Sequence, residues 1–169
     1  GHDDFLKALT LLSLDSLKAI TVEFIGGYKP ADFTRVSGLI ISYGLEDIVH
    51  VRGYVDSSTT DVILSLDLVA MTTKDFEGFG LTIVEALHAG VPVMATRVGI
   101  VPELFADDDF MSFEPGDCSA MASAVNFFLE ADDKSSLISE HVMAALSNYD
   151  SKYASKRYRE HLISHQIIG

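Results

Sequence analysis

The sequence predicts an α/β domain: a parallel sheet with helices on both faces. Three observations predict it. Segments of helical spacing alternate with short β-branched runs five times, which calls for parallel strands joined by crossover helices. Glycine, proline and serine punctuate the joins. Apolar residues make up 48% of a 169-residue chain without repeats or a dividing linker, enough for one core over residues 1–169.

Each element follows from local pattern. Phe5, Leu6, Ala8, Leu9 and Leu12 repeat at helical spacing, and "AITVEFIGG" then reads as a strand stopped by two glycines. Pro30 opens a helix carrying Phe33, Val36, Leu39 and Ile40 until Gly44 ends it. "DIVHVRGYV" is the second strand, ending near Gly53, and "SSTTDVILS" supplies caps for a short helix. "DLVAM" is a buried strand, a helix runs from about Gly80 to Ala89, and Gly90 stops it. "VPVMAT" is the next strand, "VPELF" a helical turn and "DFMSFEP" a last short strand. Helices are then expected over about Cys118–Leu129, Ser135–Leu146 and Ser151–Ile163. The whole is Rossmann-like, and in such sheets ligands sit at the carboxyl ends of the strands.

Charge and composition narrow the function. Twenty-five acids against 12 Lys and Arg give a net charge of −13, which repels nucleic acid. The lone Cys118 leaves no internal disulfide and no cysteine-built zinc site, and no apolar run reaches a bilayer span. No secretory signal pattern opens the chain, so the expected setting is cytoplasmic.

One stretch concentrates chemistry: "TTKDFEGFGLTIVEALHAGVPVMATRVGIVPEL", from Thr72 to Leu104. Gly78 and Gly80 let a ligand approach the backbone closely. The amides of Gly80, Leu81 and Thr82 open a helix and form an anion cradle suited to phosphate. Glu85 lies roughly 40° around the helix from Leu81, on the flank of the Leu81, Val84 and His88 side. Facing partly inward, it needs donors, and a ribose diol supplies two. Glu77, just before the glycines, can accept from sugar hydroxyls or stabilise positive charge developing at a sugar carbon. Two acids around an anion cradle describe a nucleotide-sugar.

"EGFGLTIVEALHAGVPVMATRVGIVPEL" resembles the signature of the retaining GT-B glycosyltransferases of family 4 type, which use nucleotide-sugars to build polysaccharides and other glycosides. The resemblance covers about Val22 to Leu129. It implies that Glu77 binds the transferred sugar in the catalytic position, that Glu85 binds the ribose, and that Gly78, Phe79, Gly80, Leu81 and Thr82 contact sugar and phosphates. "VHVRGYV" resembles the family's base-binding strand, which implies that Arg52, Gly53 and Tyr54 line the base pocket. The donor is a substrate; neither a cofactor nor a metal is implied.

The sequence departs from the family pattern at Thr73-Lys74, where proline-serine is usual, and at Gly99-Ile100, where a glycine pair is usual. "GHDDFLKAL" resembles the text just after the family's phosphate-clamping lysine. The resemblance thus implies the C-terminal, donor-binding half of a GT-B enzyme, without its first strand, its two phosphate-binding bases or its N-terminal acceptor domain. Strands at 20–26 and 67–71 are then expected not to pair, and the chain alone is expected not to catalyse transfer. The intact enzyme would move a hexose-type sugar to a glycan or lipid-linked acceptor, working in the cytoplasm or peripherally at the inner face of a membrane. A non-catalytic nucleotide-binding or assembly module of the same fold is the alternative.

Other candidates have plainer readings. The six histidines lack metal-ligand spacing, and His88 is expected at the core edge. Asp107-Asp108-Asp109 reads as a solvated loop and Cys118 as an inert thiol. "VPVMATR" lacks the lysine that a signalling receiver domain places after a late strand. "YDSKYASKRYREHLI" resembles the family's terminal helix, which crosses towards the acceptor domain; it reads equally as an amphipathic lid on the sheet.

Overall fold

The computed structural model describes residues 1–75, 77, 79–107 and 109–149. Gly78 and the helix expected over Ser151–Ile163 lie outside the described residues, as do Phe76 and Asp108.

The chain opens with α1 (His2–Leu9), whose Phe5, Leu6, Ala8 and Leu9 are buried. A short α2 (Leu14–Lys18) follows, capped by Ser13, whose Oγ accepts from the Ser16 amide at 3.0 Å. The sequence reading missed this helix, although serine before a leucine-spaced run is a cap signal. Next come β1 (Val22–Ile25), α3 (Pro30–Ser42), β2 (Val49–Gly53), α4 (Thr59–Leu64) and β3 (Val69–Met71). The second half holds α5 (Leu81–His88), β4 (Val93–Thr96), α6 (Val101–Leu104), β5 (Ser112–Phe113) and α7 (Cys118–Glu130).

The helix expected over Ser135–Leu146 is broken. A 3-10 turn spans Lys134–Leu137, and α8 runs only from Glu140 to Leu146. Two caps explain the break: Asp133 accepts from the Ser135 amide, and Ser139, in extended conformation, accepts from the Val142 amide. The strand expected in "DFMSFEP" contracts to two residues. Its start is held in a turn by Asp109, which accepts from the Met111 amide, and Pro115 has no N–H for a ladder.

All strand pairs are parallel. β1 pairs with β2 from Val22 opposite Val49 to Ile25 opposite Gly53, with an irregularity between Phe24 and Ile25. β4 lies between β3 and β5. All four residues of β4 are buried, as two-sided coverage demands.

β1 and β3 do not pair, so the sheet stands in two parts, as expected for the strands at 20–26 and 67–71. α1 enters beside both. His2 packs edge-on against Phe24 of β1, ring centroids 4.8 Å apart, while Gly1 abuts Thr72 just beyond β3. Below that point α1 packs against α3 and α7. Leu6 and Leu9 join β4's Met94 and α7's Met121 in one core. Among the described residues no helix is long and apolar enough to cross a membrane.

Candidate functional site

The Thr72–Leu104 stretch runs from the carboxyl end of β3 through α5 and β4 to α6, so its loops sit where a parallel sheet places ligands. The loop's base is pinned by Thr96 at the end of β4. This side chain is 2% exposed, and its hydroxyl donates to the Thr73 carbonyl at 2.6 Å. Thr73 in turn turns its hydroxyl towards Glu77, 3.4 Å from Oε2. Glu77 is half-buried and lines a crevice together with Met71, Thr73, Ile83, Thr96, Val98 and Val101.

Glycines let the next loop press against Glu77. Gly99 has φ +62, and a Cβ there would lie 3.1 Å from Glu77 Cβ, Cγ and carbonyl oxygen. Gly80, at φ +82, caps α5 in the left-handed region, and its Cβ would meet Ile100 Cγ2 at 3.0 Å. Ile100, which stands where the family usually has glycine, is thus a buried wall of the Gly80 turn.

Beyond Gly80 the first helical bonds run from Ile83 and Val84 to the Gly80 carbonyl, at 3.0 and 3.2 Å. No side chain caps this end. The Leu81 and Thr82 amides precede the first bond and point from the positive end of the helix. The arrangement suits an anion.

The expected orientation of α5 needs correction. Its buried face is Ile83, Val84, Ala86 and Leu87, whereas Leu81, Glu85 and His88 are exposed. Glu85 therefore does not face inward, and His88 is not a core-edge residue. The continuous apolar pair Ile83-Val84, not the Leu81–Val84–His88 line, meets the sheet. An exposed Glu85 remains free to meet a ligand from solvent.

On the other half-sheet, Gly53 ends β2 at φ +71, and a Cβ there would meet the Tyr28 ring at 2.9 Å. Tyr28, in the loop after β1, stacks on Phe33 with centroids 5.1 Å apart and half its surface exposed. Arg52 is engaged elsewhere: its Nε donates to Glu23 Oε1 at 3.0 Å. Tyr54 is 82% exposed. Of the three residues implied for the base pocket, Gly53 packs against the Tyr28 ring. Tyr28 is the aromatic partner that sequence reasoning missed; "GGYKP" after a strand was its signal.

Other charged groups have structural partners. Lys74 Nζ lies 2.8 Å from Asp4 Oδ2, a charge contact rather than an aligned hydrogen bond. Arg35 pairs with Asp3 and holds its carboxyl below the ordinary carboxylate value. Burial, then the charge of the chain terminus, pushes His2 down from 6.5. The acidic loop is not merely solvated: Asp107 accepts from Arg97 Nη2 at 2.6 Å, and Asp109 holds the turn before β5. Among the described residues no three His, Cys, Asp or Glu side chains gather as a metal site.

At the outer side of the Glu77 loop, Phe79 meets Tyr149 edge-on, centroids 5.6 Å apart. The Tyr149 hydroxyl donates to Glu103 Oε2 in α6 at 2.5 Å. Nothing in the local sequence signals this long-range contact.

The model of the family described as "Glycosyl transferases group 1" matches residues 1–143. Among curated relatives, the MMP alpha-(1->4)-mannosyltransferase of Mycolicibacterium hassiacum is 32% identical over 85 residues, 50% of this chain and 19% of that protein. Sucrose synthase of Acidithiobacillus caldus is 37% identical over 91 residues, 53% of this chain and 12% of the relative. The aligned stretch is thus under a fifth of these two relatives' lengths. Anabaena HepE, solved in complex with UDP-glucose, superposes with a TM-score of 0.78 at 25% identity, over 95% of this chain and 44% of HepE. The C-terminal domain of a glycosyl transferase group 1 family protein (LpcC) from Francisella tularensis has the same fold, with a TM-score of 0.70 at 23% identity, over 86% of this chain and 77% of that one. This chain therefore belongs to the glycosyl transferases of group 1, with the fold of the C-terminal half of a GT-B enzyme.

Proposed function

We propose that this chain is the donor-binding domain of a retaining glycosyltransferase that moves a hexose-type sugar from a nucleoside diphosphate to a glycan or lipid-linked acceptor. One observation carries the reading: Glu77 is wedged between Thr73 and Gly99 immediately before the uncapped amino end of α5. That juxtaposition suits a ligand with sugar hydroxyls next to a diphosphate, the chemistry of the UDP-glucose held by HepE.

In this reading the Leu81 and Thr82 amides take the diphosphate, and the helix dipole offsets charge as the leaving group departs. Glu77 orients the sugar by accepting from its hydroxyls, and Glu85 accepts from the ribose. Gly53 and the Tyr28 ring bound the base. The acceptor, brought by an N-terminal domain, attacks from the face that the diphosphate leaves, and the anomeric configuration is kept. Catalysis is then mainly positioning and charge stabilisation. The intact enzyme works in the cytoplasm, free or at the inner face of a membrane.

Binding is the fitting test, because it reads the proposed donor site directly. Titration with UDP, UDP-glucose and GDP-mannose, read by saturation-transfer NMR, is expected to pick out one nucleotide-sugar. Glu77→Gln should weaken that ligand by about tenfold to a hundredfold, the loss of hydrogen bonds to a charged acceptor, and leave the bare nucleotide unchanged. Binding insensitive to Glu77→Gln favours the non-catalytic module. No binding to any nucleotide-sugar overturns the proposal.

A further inference from the structure

We infer that Tyr149 is a positioning residue for the sugar-binding loop, acting as a latch between that loop and α6. This rests on the donor-binding reading above.

The loop carrying Glu77 and Phe79 has two walls. The inner wall is built by backbone proximity: Gly99 against Glu77 and Ile100 against Gly80. Both residues lead directly into α6, whose first residue is Val101. The outer wall is Tyr149, at the end of a 3-10 turn (Ser147–Tyr149) that continues α8. Its hydroxyl donates to Glu103, one turn along α6 from Ile100, and its ring returns to Phe79. A four-residue helix therefore holds the loop twice, once through Ile100 and once through Glu103 and Tyr149.

The outer contact matters because Phe79 lies at the surface of the loop. It is 46% exposed and adjoins Gly80, whose left-handed conformation starts α5. A loop flanked by glycine has many alternative conformations in the absence of a tether. The phenol-carboxylate bond at 2.5 Å is charge-assisted and of the stronger kind. An edge-to-face ring contact adds direction to it. Together they restrict where Phe79 can sit, and through Gly80 they set the relation between Glu77 and the Leu81 and Thr82 amides. Tyr149 touches no reacting atom in this account. It fixes the distance between the sugar-binding carboxylate and the anion cradle.

The test uses the full chain with Tyr149→Phe, Glu103→Ala, the double variant and Glu103→Gln. The first readout is amide exchange of Ile83 and Val84, whose hydrogen bonds to the Gly80 carbonyl report on the turn without any ligand. Tyr149→Phe and Glu103→Ala are each expected to raise exchange at these two amides about fivefold, and the double variant no further, because both remove one bond. Glu103→Gln, which keeps an acceptor, should restore most of the protection. The second readout is the ratio of UDP-glucose to UDP affinity, which is expected to fall about tenfold in Tyr149→Phe while UDP alone moves little. Unchanged exchange, additive effects in the double variant, or equal losses for UDP and UDP-glucose overturns the latch. Wild-type chain that binds no nucleotide-sugar overturns the donor-binding reading instead, and amide exchange still decides whether the latch exists.

Discussion

Replacing Gly99 by alanine tests how closely the Glu77 loop is built against its neighbour. A non-glycine residue at φ +62 costs about 1–2 kcal/mol for the backbone alone. The new methyl would also lie 3.1 Å from three atoms of Glu77, one of them the main-chain carbonyl oxygen, which cannot rotate away. Overpacking of this kind adds about 1–2 kcal/mol. The total, about 2–4 kcal/mol, is a large share of the 5–15 kcal/mol typical of a domain. For a chain of this size it lowers Tm by roughly 4–16 °C. Gly90 is the matched control. It has φ +76 but open space around its Cβ position, so Gly90→Ala carries the backbone cost without the contact. Urea or thermal unfolding of the two variants side by side isolates the steric part, and NMR shifts should concentrate at Thr73 and Glu77 in Gly99→Ala only. If the two variants were equally stable, Gly99 and Glu77 would not be in the contact described.

Thr96→Val removes the hydroxyl that reaches the Thr73 carbonyl and should cost about 1–2 kcal/mol in urea unfolding, despite nearly unchanged volume. Lys134 donates to the carbonyls of Phe128, Leu129 and Ala131 and sits over the Phe128 ring, closing the carboxyl end of α7; Lys134→Met should cost about 1–2 kcal/mol by the same measurement. Acid unfolding should begin in a definite order. His2 has a folded pKa below 6.5, so the unfolded chain takes up this proton first; stability is full above about 6.5 and falls as pH drops through the folded value. Asp3, held down by Arg35, contributes above its ordinary 3.8 and loses that contribution as pH falls through its folded value. NMR titration of the His2 ring should give a midpoint below 6.5, and a midpoint at or above 6.5 would contradict the burial described.

Much of the fold was legible because local pattern and tertiary placement agree. Pro30 opens α3, Ser58 caps α4, and the apolar run Val93-Met94-Ala95 is the buried central strand. Legibility failed where a single side chain redirected the backbone. Ser139 and Asp133 divided what helical spacing joined, and Ser13 started a helix too short to show periodicity. In the site, the motif located the Glu77 loop, Gly80 and the uncapped amino end of α5. It did not give the face of α5, because the exposed Leu81 imitates a core position. Nor could spacing reveal Thr96 or Tyr149, whose importance lies in contacts between elements distant in sequence. Arg52 shows the converse: a residue that pattern assigns to the base pocket pairs with Glu23 on the neighbouring strand.

The two-part sheet has a mechanical consequence. Gly53 and Tyr28 ride on the β1–β2 part, while Glu77, Gly80 and α5 ride on the β3–β4–β5 part. Among the described residues no ladder of backbone bonds joins these parts; side-chain packing around α1 does. A molecule touching both Tyr28 and Glu77 would therefore bridge two parts of the sheet that are held together by side-chain packing.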